Sequence, residues 1–170
     1  AASGRVILVT CHRREHLTAK LDVLCTALAT IASEHRQDHI VWPLHPNPVI
    51  AEVVRQRCRH VDNLHIIPPQ PYSVFVHLLR RSSLVISDSG GVTEEAVALG
   101  RRLVMIRDTT ERPEALRGNT LLPLAQMADL PRVVARRLAL ASPPPSDVFG
   151  DGHAGERIAA HIGVWFAPLG

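Results

Sequence analysis

The stretch "SLVISDSGGVTEEAVALGRRLVMIRD" (Ser83–Asp108) decides the fold. It opens on an apolar run, Leu84, Val85 and Ile86, that reads as a strand over Ser83–Ser89. Gly90 and Gly91 follow at once. A helical pattern then runs to Gly100, where glycine is a C-cap signal. "RRLVMIRD" (Arg101–Asp108) is a second strand. Strands that are apolar on both faces and are joined through a helix belong to a parallel sheet covered on both sides.

The alternation continues in both directions. Upstream, "RVILVTC" (Arg5–Cys11) is a strand. Leu17–His35 is a helix, with apolar residues at Leu21, Leu24, Ala27, Leu28 and Ile31. His39–His45 is a strand, and Pro48–Cys58 a helix with proline tolerated in its first turn. Residues 63–69 form a strand and 72–82 a helix. Downstream, "ERPEALRGN" is a short helix, "TLLPL" (Thr120–Leu124) a sixth strand, and "DLPRVVARRLALA" a helix. The expected fold is α/β: a doubly wound, Rossmann-like parallel sheet of about six strands. Such sheets bind ligands at the carboxyl ends of their strands. Those ends carry most of the unusual polar residues here. Residues 1–142 are assigned to this domain and the Pro- and Gly-rich residues 143–151 to a linker. Residues 152–170 are assigned to a C-terminal helix and tail with unsupported apolar residues Val164, Trp165 and Phe166.

Composition narrows the function classes. The chain has 170 residues, 46% of them hydrophobic and 21% charged, a globular balance. No apolar run approaches the roughly 20 residues of a membrane helix. Net charge is +3, and Lys20 is the only lysine. An excess of Arg suits bidentate recognition of phosphate or carboxylate; a GC-rich genome would give the same bias. Aromatics are 4% and the basic residues are scattered along the chain, which argues against a nucleic-acid groove with its basic stripe and stacking rings. Cys11, Cys25 and Cys58 include no C-x-x-C pair and are odd in number, which argues against a disulfide framework and for a reducing, cytoplasmic setting.

Four loops carry candidate chemistry. His12-x-x-Glu15-His16 matches the H-x-x-E-H string of a class of zinc peptidases. In those enzymes the string lies within a helix; here it spans the loop between a strand and a helix, and no third ligand is evident. The alternative is a phosphate loop. Arg13 and Arg14 stand near a helix N-terminus, whose amides favour anions, and His12 can donate to a phosphate or act as an acid or base. "SDSGG" (Ser87–Gly91) runs from strand into helix. It is neither G-x-G-x-x-G nor a P-loop with its lysine, and it suits a diphosphate held by amides without metal. Glu94 and Glu95 follow one turn later; either can accept from ribose hydroxyls, or both simply complement the helix dipole. "IRDTTERPE" (Ile106–Glu114) is a charged web or a ligand contact, and "LHPNP" (Leu44–Pro48) presents His45 at a rigid turn.

Together, "VTCHRRE", "PLHPNP", "SDSGGVTEEAVALG" and "RDTTERPEA", in this order and spacing, resemble the C-terminal half of the non-hydrolysing UDP-N-acetylglucosamine 2-epimerases over about residues 5–162. The resemblance implies one of two Rossmann-like domains of a glycosyltransferase-B-type fold, with the active site in the cleft. It implies interconversion of UDP-GlcNAc and UDP-ManNAc, for cell-envelope polysaccharide, by elimination of UDP and its re-addition. No cofactor and no metal are implied. By motif, His12 matches the active-site histidine and Arg13 its phosphate-loop neighbour. Ser89, Gly90 and Gly91 match the diphosphate contact, Glu95 the ribose contact, and Phe75 the aromatic near the uracil. His45 matches a contact to a second, activating substrate molecule, and Arg112 has a supporting role. The implied partners are UDP and the UDP-sugar, an N-terminal domain that would precede Ala1 and receive the C-terminal helix, and a second subunit in a homodimer. Nucleic acid and membrane are not expected partners. Two other readings stay open: a stand-alone UDP-sugar binding module and a glycosyltransferase-B nucleotide domain.

Overall fold

The computed structural model describes residues 4–11, 17–44 and 48–165. Six strands form one sheet: β1 (Val6–Thr10), β2 (His39–Pro43), β3 (Leu64–Ile67), β4 (Leu84–Ser87), β5 (Leu103–Ile106) and β6 (Thr120–Leu122). All pairings are parallel, in the order β3-β2-β1-β4-β5-β6. The helices are α1 (Leu17–Glu34), α2 (Pro48–Cys58), α3 (Tyr72–Arg81), α4 (Gly90–Ala98), α5 (Leu130–Ala139) and α6 (Ala154–Trp165). This is the doubly wound, six-stranded parallel sheet expected from the sequence.

The two-residue period of each strand divides its side chains between two cores. Ile7, Val9, Leu84, Ile86, Val104 and Ile106 face one side, where Leu24, Leu28 and Ile31 of α1 and Val134 of α5 cover them. Leu8, Val85, Leu103 and Met105 face the other, under Leu79 of α3 and Val92, Ala96 and Val97 of α4. Every residue of β4 and β5 is buried, which is why neither reads as alternating in the sequence.

The strands are shorter than their sequence signals. Flanking residues such as Asp88 and Ser89 belong to the loops, because the chain turns into α4 there. The helix expected over "ERPEALRGN" is a 3-10 turn at Pro113–Leu116, closed by Gly118 at φ +77°. A second 3-10 segment, Leu124–Asp129, leads into α5 and had no signal in the sequence. Gly100, just past the C-cap Leu99, adopts φ +62°, the left-handed conformation that commonly ends a helix. Residues after α5 run back over it: a Cβ on Gly100 would lie 2.8 Å from the Pro143 carbonyl oxygen. The Ser146 amide donates to the Val97 carbonyl at 3.2 Å, and Phe149 packs against the second core. Helix α6 buries no residue, and Ile158, Ile162, Val164 and Trp165 stand in solvent.

At the opposite end of the sheet from the loops, Asp38 ties β1 to β2. It is 5% exposed and accepts from the Arg5 amide (3.0 Å), Nε (3.1 Å) and terminal nitrogen (2.8 Å). Burial opposes its charge, but the Arg5 bonds and charge outweigh burial and hold its pKa below the ordinary 3.8. A depressed carboxylate contributes stability that is present above its unfolded pKa and lost as pH falls through the folded one. Asp38→Asn is therefore expected to cost about 1–3 kcal/mol at pH 7. It should also flatten the loss of stability below pH ~4. Urea unfolding at pH 7 and pH 3 checks both.

Candidate functional site

Strand β1 neighbours β2 on one side and β4 on the other, so the winding reverses between β1 and β4. A ligand crevice is expected outside their carboxyl ends. The register sets Thr10 beside Ser87, and their hydroxyls meet at 2.7 Å. Ser87 Oγ also accepts from the Ser89 amide at 3.0 Å. Ser89 is the N-cap of α4: its backbone is extended (φ −90°, ψ 129°), its Oγ accepts from the Val92 amide at 3.5 Å, and Thr93 Oγ1 donates to its carbonyl at 2.8 Å. These bonds fix the "SDSGG" loop. They also occupy the Ser89 amide. Among the described residues no acceptor reaches the amides of Gly90 and Gly91, two of the first-turn donors that a helix leaves unpaired.

A cavity of about 370 Å³ opens over this loop. Thr10 and Ser89 form its floor with Gly91 and Val92; Pro43 and Leu44 at the end of β2 form one side. Pro69 and Gln70 in the loop after β3, then Tyr72, Phe75 and Glu95, complete the wall. Four residues singled out from the sequence, Phe75, Ser89, Gly91 and Glu95, therefore share one cavity. His12, Arg13 and His45 lie outside the described residues. The chain leaves for those segments just beyond Thr10 and Leu44, both cavity residues. The H-x-x-E-H string also lies outside. Among the described residues, no group of three or more His, Cys, Asp or Glu could hold a metal ion.

The structure separates the two glutamates. Glu94 accepts from Arg112 Nε, and Arg112 also donates to Glu111 at 2.8 Å, while buried Arg107 donates to Glu111 at 2.8 Å. The hydrogen bond to Glu94 raises the Arg112 pKa, so the guanidinium stays charged. The "RDTTERPE" loop is thus a carboxylate–arginine web docked on α4. Arg112 lies across the Gly90 backbone, where a Cβ would come within 2.5 Å of its terminal nitrogen. Glu95 instead turns to the cavity. Its Oε1 accepts from the Tyr72 hydroxyl at 3.2 Å, and its Oε2 is buried with no hydrogen-bond partner among the described residues. Tyr72 was not singled out from the sequence; its place three residues before Phe75, on the same helix face, was the available signal.

Fold and site define a doubly wound α/β domain with a ligand crevice at its switch point, equipped with free amides and a buried carboxylate acceptor. The sequence model of UDP-N-acetylglucosamine 2-epimerase matches residues 1–163. The chain belongs to that family. It is 40% identical over 162 residues to the UDP-N-acetylglucosamine 2-epimerase of Escherichia coli strain K12, covering 91% of this chain and 43% of that enzyme. Its fold superposes with a TM-score of 0.79 on the Neisseria meningitidis UDP-GlcNAc 2-epimerase bound to UDP-GlcNAc, at 31% identity, covering 94% of this chain and 44% of that one. The Methanocaldococcus jannaschii enzyme, in complex with UDP-GlcNAc and UDP, gives a TM-score of 0.82 at 27% identity, covering 95% and 46%. The chain spans under half the length of these relatives. Among the described residues no helix is long and apolar enough to cross a membrane.

Proposed function

We propose that this chain is the nucleotide-holding half of a non-hydrolysing, cytoplasmic UDP-GlcNAc 2-epimerase that serves cell-envelope polysaccharide synthesis without metal or cofactor. The observation that carries the reading is the cavity at the switch point. Phe75, Glu95 with its buried Oε2, and Gly91 line it; in this reading they serve the base, the ribose and the diphosphate, with the Gly90 amide next to that of Gly91. Ser89 caps the helix that carries the diphosphate loop, and Arg112, bonded to Glu94, supports the loop from its place against the Gly90 backbone.

The chemistry would be elimination followed by addition. A base removes the C2 proton, the C1–oxygen bond breaks, and UDP leaves with the bonding pair to give 2-acetamidoglucal. Re-addition of UDP with a proton delivered to the other face of C2 inverts that centre. This half stabilises the leaving diphosphate through Gly90, Gly91 and Arg13, with His12 donating to it. His45 would serve the second, activating UDP-GlcNAc. The base and most sugar-facing acids would come from a preceding N-terminal domain, since Glu95 is the only carboxylate among the described cavity residues. That domain would also cover the exposed apolar side of α6, and the whole enzyme would be a homodimer. A stand-alone UDP-sugar binding module is the competing reading, favoured by that same scarcity of carboxylates.

Exchange of the C2 hydrogen of UDP-GlcNAc in deuterated water, followed by NMR, separates the two. The 170-residue chain is expected to give no exchange. A longer chain that includes the N-terminal domain is expected to exchange and epimerise, and His12→Ala should lower its turnover by about 10²-fold or more. Exchange by the 170 residues alone would show that the catalytic groups are misplaced; none in the longer chain would favour the binding module.

A further inference from the structure

We propose that Tyr72 is a positioning residue that sets the selectivity of this site for a ribose diol, by holding one oxygen of Glu95 so that the other meets the sugar. The inference rests on the reading that UDP occupies the cavity. Glu95 presents two oxygens with different surroundings. Oε1 accepts the Tyr72 hydroxyl at 3.2 Å; Oε2 is buried without a partner among the described residues. A buried carboxylate oxygen that bonds nothing is costly, and a ligand hydroxyl placed against it removes that cost. Deoxyribose lacks one such hydroxyl.

Anchoring matters because a carboxylate otherwise rotates freely about its last torsion. An unanchored Glu95 would settle toward water, and the penalty for a missing hydroxyl would shrink. Tyr72 prevents this through geometry that α3 fixes. Pro71 is the N-cap, extended at φ −54° and ψ 148°, and its carbonyl accepts the Phe75 amide at 2.9 Å. One helical turn therefore carries both the aromatic wall and the ribose anchor. The Tyr72 ring is 68% exposed, so burial does not explain its position, and its hydroxyl is spent on Glu95. The negative charge of Glu95 and the hydrogen bond raise the phenol pKa, so the hydroxyl remains a donor at neutral pH.

The test is calorimetric titration of the chain with UDP, 2′-deoxy-UDP and 3′-deoxy-UDP, on the wild type, Tyr72→Phe, Glu95→Ala and the double variant. The wild type is expected to favour UDP over the weaker deoxy analogue by about tenfold, the size of one hydrogen bond to a charged group. Tyr72→Phe should hold the deoxy analogues within about twofold of wild type while the UDP preference falls to about threefold or less. Glu95→Ala should abolish the preference, and adding Tyr72→Phe to it should change nothing further. Thermal melting of Tyr72→Phe should match wild type, which excludes a general loss of folding. Wild-type UDP binding with an unchanged preference in Tyr72→Phe overturns the role of Tyr72 alone. A wild type that does not bind UDP overturns the nucleotide reading, and this inference with it.

Discussion

UDP is expected to bind this chain at least about 100-fold more tightly than uridine, since each charge-assisted bond to a desolvated phosphate contributes roughly 1.5–3 kcal/mol and each 1.4 kcal/mol is tenfold. Two such bonds are assigned to the Gly90 and Gly91 amides and a third to Arg13. The helix dipole of α4 adds to them, because its positive end points at the same place. Uridine keeps only the contacts to Phe75 and Glu95. Calorimetric titration of both ligands against the chain checks the expectation. Equal affinities would remove the phosphate role from the "SDSGG" loop and leave the free amides unexplained.

Gly90→Ala and Gly91→Ala are expected to fail in different ways. Neither glycine has positive φ, so neither is there for conformational freedom. At Gly90 the reason is internal. A methyl group there would lie 2.5 Å from an Arg112 terminal nitrogen, and Arg112 is pinned by Glu94 and Glu111. Displacing it sacrifices partly exposed ion pairs, so the denaturant midpoint should fall slightly. UDP affinity should fall about tenfold as the brace under the loop shifts. At Gly91 a methyl group meets nothing within 4 Å. Gly91→Ala should therefore fold as well as wild type, or better by up to ~1 kcal/mol, since alanine costs less helix entropy than glycine. It should still lose about tenfold or more in UDP affinity, because the glycine lines the cavity and its methyl group would stand where the diphosphate must approach. Denaturant unfolding and UDP titration of both variants test this. Wild-type UDP affinity in Gly91→Ala would mean that the diphosphate does not pack on this backbone.

The local signals set the types of the strands and α-helices correctly, because each of those elements obeys one period. Leu84–Val85–Ile86 is apolar on both faces, and α1 repeats its apolar residues at helical spacing. Loops at strand ends were legible for a related reason: in a parallel doubly wound sheet, polar residues just after apolar strands have one place to go. The 3-10 segment Leu124–Asp129 was not legible, because no periodic pattern accompanies so short an element.

The sequence by itself determined the fold class and the glycine pair at the start of α4, since both follow from local residue chemistry and period. Only the tertiary structure decided which of two adjacent glutamates faces the ligand. Glu94 and Glu95 look alike in sequence, yet they point about 100° apart around a helix. One therefore meets Arg112, arriving from the loop after β5, and the other meets Tyr72, arriving from α3. The same holds for Gly90, whose need for glycine comes from a guanidinium more than twenty positions away along the chain. Such requirements are set by groups distant in sequence, and no local pattern contains them.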